Sequence, residues 1–290
     1  MLNQANPYQK RVREPIRDNI LLVNTVLRVT VGIILLAILF MLVERVLGRK
    51  RPRTLLRKAW TTDVSYFFLI ALVTKPLVRL AIVLPAIVLV ALGLASVESL
   101  QLKEYAGFGP LGHQPLWLQT VEIYVLADFL GYWQHRMFHR GRLWPFHAVH
   151  HSSQDLDWLA SVRVHPVNEL VGRMIQVIPL LFLGFNPWVT ASTAPALTLY
   201  AIMLHADVTW NYGPLRAVVA SPVFHRWHHS KEADAINKNF AGLLPVWDLI
   251  FGTYYMPKGR IPEDFGIHEP MPESLWGQMI QPFKPRASNR

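Results

Sequence analysis

Twelve histidines stand in this chain of 290 residues, and eight of them fall in three short clusters. His135-Arg-Met-Phe-His139 is an i,i+4 pair, which on a helix shares one face. His147-Ala-Val-His150-His151 follows with i, i+3 and i+4 spacing, and His225-Arg-Trp-His228-His229 repeats it. Pro145 and Pro222 stand shortly before the second and third clusters, as helix-start residues do. Five histidines lie within residues 135–151, where an even spread of 12 over 290 would put fewer than one. Scattered surface histidines do not repeat helical spacings in this way. Imidazole suits Fe, Zn, Cu or Ni, and eight are more than one ion can take. Two metals with about four histidines each, and positions left open, is the economical reading.

No cysteine competes for those metals. Its absence also excludes disulfides, Fe–S clusters, haem-thiolate chemistry, Cys nucleophiles and palmitoyl or prenyl anchors. His165 and His205 are further candidates, each either a ligand or a hydrogen-bonding neighbour. His113 and His268, in Pro- and Gly-rich loops, read as spectators. Asp128, Tyr132, His135 and His139 share one helical stripe. A carboxylate on an apolar helix needs a partner, so Asp128 is expected to orient a ligand through its second ring nitrogen, with helix packing as the alternative. Asn239 and Asp248, with Asn237, read as supporting or structural residues.

The elements that must hold these residues are apolar. Hydrophobic residues make up 52% of the chain, charged residues 17%, and mean hydropathy is +0.23. That argues against a disordered tail, a fibre or a typical soluble enzyme. A net charge of +10 alone would suit nucleic acid, but ten Trp and long apolar runs point instead to a membrane protein with basic cytoplasmic loops and no nucleic-acid partner. Ile20–Val43 reads as an uncleaved anchor, with Arg28 snorkelling to an interface. The basic run from Arg45 to Lys58 reads as a solvated loop near anionic lipid heads. Ser65–Thr74 and Leu80–Ala95 form two apolar pieces split by Lys75 and Arg79, the first too short to span.

Leu116–His139 reads as one helix that crosses the bilayer and carries its last turns into the cytoplasm. Glu169–Leu183 and Pro187–Leu204, joined by Gly184-Phe185-Asn186, form a helical hairpin that returns the chain to the same side. The expected fold is an all-α integral membrane protein: about four membrane-embedded helices and a cytosolic helical cap carrying a histidine-rich di-metal site. Its divisions are an N-terminal anchor and basic loop (1–60), membrane helices with a non-cytosolic loop (61–115), a catalytic domain (116–257) and a C-terminal tail (258–290). Gly107-Phe-Gly109-Pro-Leu-Gly112 spells a dinucleotide-binding motif, but no strand precedes it and Pro110 interrupts it. No HExxH, P-loop or GxSxG occurs.

The run Asp128-Phe-Leu-Gly-Tyr132-Trp-Gln-His135-Arg-Met-Phe-His139, the two HxxHH clusters, Asn237-Lys-Asn239-Phe-Ala and Trp247-Asp248-Leu-Ile-Phe-Gly252-Thr-Tyr resemble the fatty acid hydroxylase/sterol desaturase superfamily over roughly residues 120–257. The resemblance implies an O2-dependent membrane oxidoreductase that hydroxylates or desaturates a lipid C–H bond (sterol, fatty acyl or related). It implies a non-haem di-iron centre on the cytoplasmic face, where zinc can stand in on purification. Its ligands carry over onto His135, His139, His147, His150, His151, His225, His228 and His229, and less directly onto His165 and His205. Electrons would come from a separate ferredoxin- or cytochrome b5-type donor with its reductase. The membrane would be the plasma membrane in a bacterium and the endoplasmic reticulum in a eukaryote. The competing class is a histidine-rich metal transporter or membrane haem protein. A transporter wants ionisable residues strung through several spans, and only Asp128, Glu122, Glu169 and Arg173 come close.

Overall fold

Proline fixes where four of the helices begin. The computed structural model describes residues 7–48, 57–104 and 106–285, with side chains from Asn19 onward. Two long helices come first, α1 (Pro7–Leu47) and α2 (Trp60–Ala91). Then follow α3 (Leu116–Phe138), α4 (Trp144–His151), α5 (Pro166–Phe182), α6 (Pro187–His205), α7 (Pro222–His228), α8 (Val246–Ile250) and α9 (Leu275–Ile280). Proline lies in the first turn of α4, α5, α6 and α7, where the missing N–H has no helical partner to lose and the fixed φ suits a helix. Before three of these a side chain accepts an orphan N–H: His165 from Val167, Asn186 from Trp188 and Ser221 from Phe224.

The two pieces expected on either side of Lys75 and Arg79 are one continuous helix, α2. Charged residues do not stop a helix. The residues with reason to break it are Pro76 and, further on, Pro85, each of which lacks an N–H and crowds the carbonyl one turn back. A wider π turn at Ile70–Thr74 absorbs Pro76. Asn19–Leu47 and Trp60–Ala91 are each long and apolar enough to cross a membrane, and most of their side chains face outward.

The basic run is corrected in part. Arg49, Lys50, Arg51 and Arg53 lie outside the described residues, but Arg57 is not solvated. Its guanidinium is half-buried and paired with Asp63 (2.5 Å) and Asp157 (2.7 Å).

α3 packs along α5 and α6, α2 packs against α5, and α6 packs against α7. Tyr132, Leu204, Phe224 and Phe240 form the apolar floor beneath the histidines. No strand forms among the described residues; two isolated bridges, Gly48–Val208 and Ser230–Phe265, clip segments together. Two glycines of the rejected dinucleotide motif, Gly107 and Gly112, serve packing. Phe108 donates its backbone N–H to Gly184 at 3.0 Å, and a Cβ on Gly112 would meet the Gly184 carbonyl at 2.6 Å. Gly184 itself has φ +81 and faces the Phe108 carbonyl, so the α5–α6 turn and the 107–112 loop meet backbone to backbone.

Candidate metal centre

Two short helices and the ends of two long ones bring nine histidines together. α3 supplies His135 and, just past its end, His139; α4 supplies His147, His150 and His151; α6 ends in His205; α7 supplies His225 and His228, followed by His229. They sort into two groups. His135, His139, His147, His151 and His228 form group A, and His150, His205, His225 and His229 form group B; within each, one nitrogen per ring lies within 4.8 Å of the others.

The imidazoles are held by their far nitrogens. His135 Nδ1 meets the Phe240 carbonyl at 2.8 Å, His150 Nδ1 that of Arg163 at 3.2 Å, His205 Nδ1 that of Ala201 at 2.7 Å, and His228 Nδ1 that of Lys238 at 2.7 Å. A carbonyl only accepts, so each of these Nδ1 atoms carries the proton and each Nε2 presents a lone pair inward. His147 Nδ1 likewise meets Asn168 Oδ1 at 3.0 Å.

Those inward nitrogens crowd one another. In group A, Nε2 of His147 lies 3.0 Å from that of His135 and 3.1 Å from that of His151, which is 3.1 Å from that of His228. In group B the chain His150, His205, His225, His229 has three successive Nε2–Nε2 distances of 3.2 Å. Lone pairs so placed repel unless a cation lies between them. Nitrogens about 2.1 Å from one metal sit about 3.0 Å apart at right angles and about 3.4 Å apart at the tetrahedral angle. The donor set therefore fits two metal ions. His139 Nε2, buried and without a hydrogen-bond partner, fits the same use.

Burial holds His147, His150, His151, His225, His228 and His229 well below the ordinary imidazole pKa, and neighbouring imidazoles push in the same direction. Neutral imidazole is the form that binds metal. The two groups differ in access. Group B is buried throughout, whereas His135 and His139 of group A are half-buried. A cavity of about 270 Å³ reaches group A at His139, His151 and His228, with Trp144, Lys231 and Asn237 also in its wall. His268, expected to be a spectator, lines this cavity too.

Of the two additional candidates, the structure brings in His205 and places His165 elsewhere. Both nitrogens of His165 are engaged: Nδ1 accepts from Val167 N–H as a helix cap, and Nε2 lies 3.2 Å from the Met279 carbonyl. Asp128 does not orient an imidazole. Its carboxylate accepts the backbone N–H groups of Gly242, Leu243 and Leu244 and the indole N–H of Trp247, so it anchors the loop before α8. Asp248 acts at one remove: it accepts the N–H groups of Phe240 and Ala241, and the Phe240 carbonyl holds His135. Tyr132 bonds Thr253 and Arg136, and Asn239 ties the Phe224 carbonyl of α7 to the backbone of Tyr255. Neither touches a histidine nitrogen among these bonds. Asn168 and the four carbonyls went unread in the sequence; Asn168 has only its polarity at the start of an apolar helix to mark it, and a carbonyl has no sequence signal.

A family model described as fatty acid hydroxylase matches residues 120–253. An ornithine lipid hydroxylase, OlsE, of Rhizobium tropici is 32% identical over 197 residues, covering 66% of this chain and 58% of that protein. Human alkylglycerol monooxygenase is 35% identical over 146 residues, 50% of this chain and 32% of that protein. A very-long-chain aldehyde decarbonylase, GL1-6, of Oryza sativa subsp. indica is 29% identical over 140 residues, 44% of this chain and 21% of that protein. The chain thus spans less than two thirds of each of these relatives. No solved structure matches it.

Proposed function

We propose, from the premise that this chain belongs to the fatty acid hydroxylase family, that it is a membrane-bound oxidoreductase that uses O2 to hydroxylate a C–H bond of a polar-headed lipid. The observation that carries the reading is the convergence of nine Nε2-side lone pairs into two groups with metal-ligand spacing. Two irons held there would supply the O2 activation and electron transfer that acid–base side chains lack. Group A would hold one through His135, His139, His147, His151 and His228, and group B the other through His150, His205, His225 and His229.

The chain's own residues do three things. Carbonyls and Asn168 lock the ring tautomers, so no ligand has to reorient as a substrate arrives. The buried walls keep water from group B. The cavity at His139 admits the substrate beside group A, with Trp144, Ile236 and Ile267 offering apolar surface and Lys231 and Asn237 polar contacts. In this reading residues 116–257 are the catalytic unit, α1, α2, α3 and the α5–α6 hairpin are embedded, and the histidines face the cytoplasm. Electrons arrive from a separate ferredoxin- or cytochrome b5-type partner. The haem alternative has the nitrogen spacing against it, since a macrocycle has no room among nitrogens 3.0–3.2 Å apart.

Two measurements test this. Detergent-purified protein is expected to carry about two irons per chain with no haem band, and His150→Ala to lose metal. With a reduced donor and isotopically heavy O2, lipid extract should gain one labelled hydroxyl oxygen. A haem spectrum, or product oxygen drawn from water, would overturn the reading.

A further inference from the structure

The residues that grip group B lie partly outside the family-matched segment 120–253. Two buried carboxylates carry that grip, one from each N-terminal helix. Asp63, at the start of α2 and fully buried, accepts from Arg163 Nε at 2.6 Å while also pairing with Arg57. The carbonyl of the same Arg163 receives His150 Nδ1–H. Glu44, buried near the end of α1, accepts the backbone N–H of Asp207 at 2.9 Å, two residues after His205. Gly48 bridges Val208 in the same place, and Arg226 joins Asp207 (3.0 Å) to the carbonyl of His205 (3.3 Å). The acceptors that touch the rings, Arg163 and Ala201 for group B and Asn168, Asn237, Lys238 and Phe240 for group A, all lie within the matched segment, so the N-terminal helices act one bond further out.

We propose that the N-terminal helices are part of the metal centre, with Asp63 the positioning residue for group B: it sets Arg163, whose carbonyl fixes His150. The physical case has two parts. Arg163 is buried, and its side chain, pinned by Asp63 and Ser152, helps the backbone bond to Ala160 hold the residue whose carbonyl meets His150. Arg163 is also a cation bound through its own carbonyl to a ligand of a second cation, so the negative charge of Asp63 offsets a repulsion that would otherwise oppose metal binding. This rests on the reading of group B as a metal site.

The test uses the full-length protein in detergent. Asp63→Asn keeps the shape of the side chain and removes its charge. Metal titration should show group B affinity falling about 10–100-fold with group A unchanged, so that roughly one ion per chain remains after dialysis. Asp63→Glu, which keeps the charge, should recover much of the loss. Histidine carbethoxylation, resolved by peptide fragmentation, gives a readout that needs no metal: His150 should become several-fold more reactive in Asp63→Asn while His135 and His147 do not. Loss of both metals in proportion to unfolded protein, or an unchanged footprint at His150, would overturn the proposal. If the wild-type protein holds no metal, the functional reading fails, and the footprint still decides the role of Asp63.

Discussion

At the scale of single residues, two group-B ligands, His150 and His205, are each tied through Nδ1 to a carbonyl of their own. His205 is the instructive one, because it belongs to none of the three clusters and sits at the end of an apolar helix. His205→Ala is expected to remove about one metal per chain and to abolish turnover while leaving group A loaded, measured by metal analysis beside activity. Asp128→Ala should do the reverse. It leaves three backbone N–H groups and one indole N–H without their acceptor, a loss of about 1–3 kcal/mol or more, yet the metal held per folded chain should not change. Thermal unfolding together with metal analysis separates the two; a metal-poor but fully stable Asp128→Ala would return Asp128 to the imidazole-orienting role. The eight clustered histidines were legible because ligand spacing on a helix is a local pattern. Asp128 was legible only as a residue in need of partners, since those partners lie more than a hundred positions away.

At the scale of elements, the hairpin and the helix starts follow from turn and proline chemistry that a sequence displays directly. The continuity of α2 did not, because a π turn that absorbs Pro76 has no residue signature. The 107–112 loop shows how a motif can be real in letters and different in purpose: Gly107 and Gly112 let two backbones touch. Gly184→Ala puts a Cβ against the Phe108 carbonyl at a left-handed φ, so it should cost about 1–3 kcal/mol from backbone strain alone, with the clash in addition. Gly93→Ala, also at positive φ but in open space, isolates the strain from the clash, and a Gly184→Ala loss no larger than that of Gly93→Ala would refute the close-packing account.

At the scale of the whole molecule, a buried set of neutral imidazoles makes stability depend on pH. The six histidines of α4, α7 and the residue that follows α7 have folded-state pKa values below the ordinary 6.5. Below that pH the unfolded chain binds more protons than the folded one. In chelator-treated protein the stabilisation is therefore complete above about pH 6.5 and is lost as pH falls toward the folded values, by up to about 1.4 kcal/mol per pH unit for each histidine. Melting scans between about pH 8 and pH 5 should show Tm falling on the acid side; a flat or rising Tm there would contradict the burial of these rings. Four of the rings, meanwhile, are steered by peptide carbonyls of Arg163, Ala201, Lys238 and Phe240, which every amino acid possesses. That steering layer carries almost no heritable information of its own. Where the side chain does nothing else, as at exposed Ala201, a substitution leaves the steering carbonyl in place, whereas a change at a ligand removes a donor nitrogen. A cage built this way cannot be grafted by copying its histidines; it moves to a new scaffold only with the backbone trace that aims them.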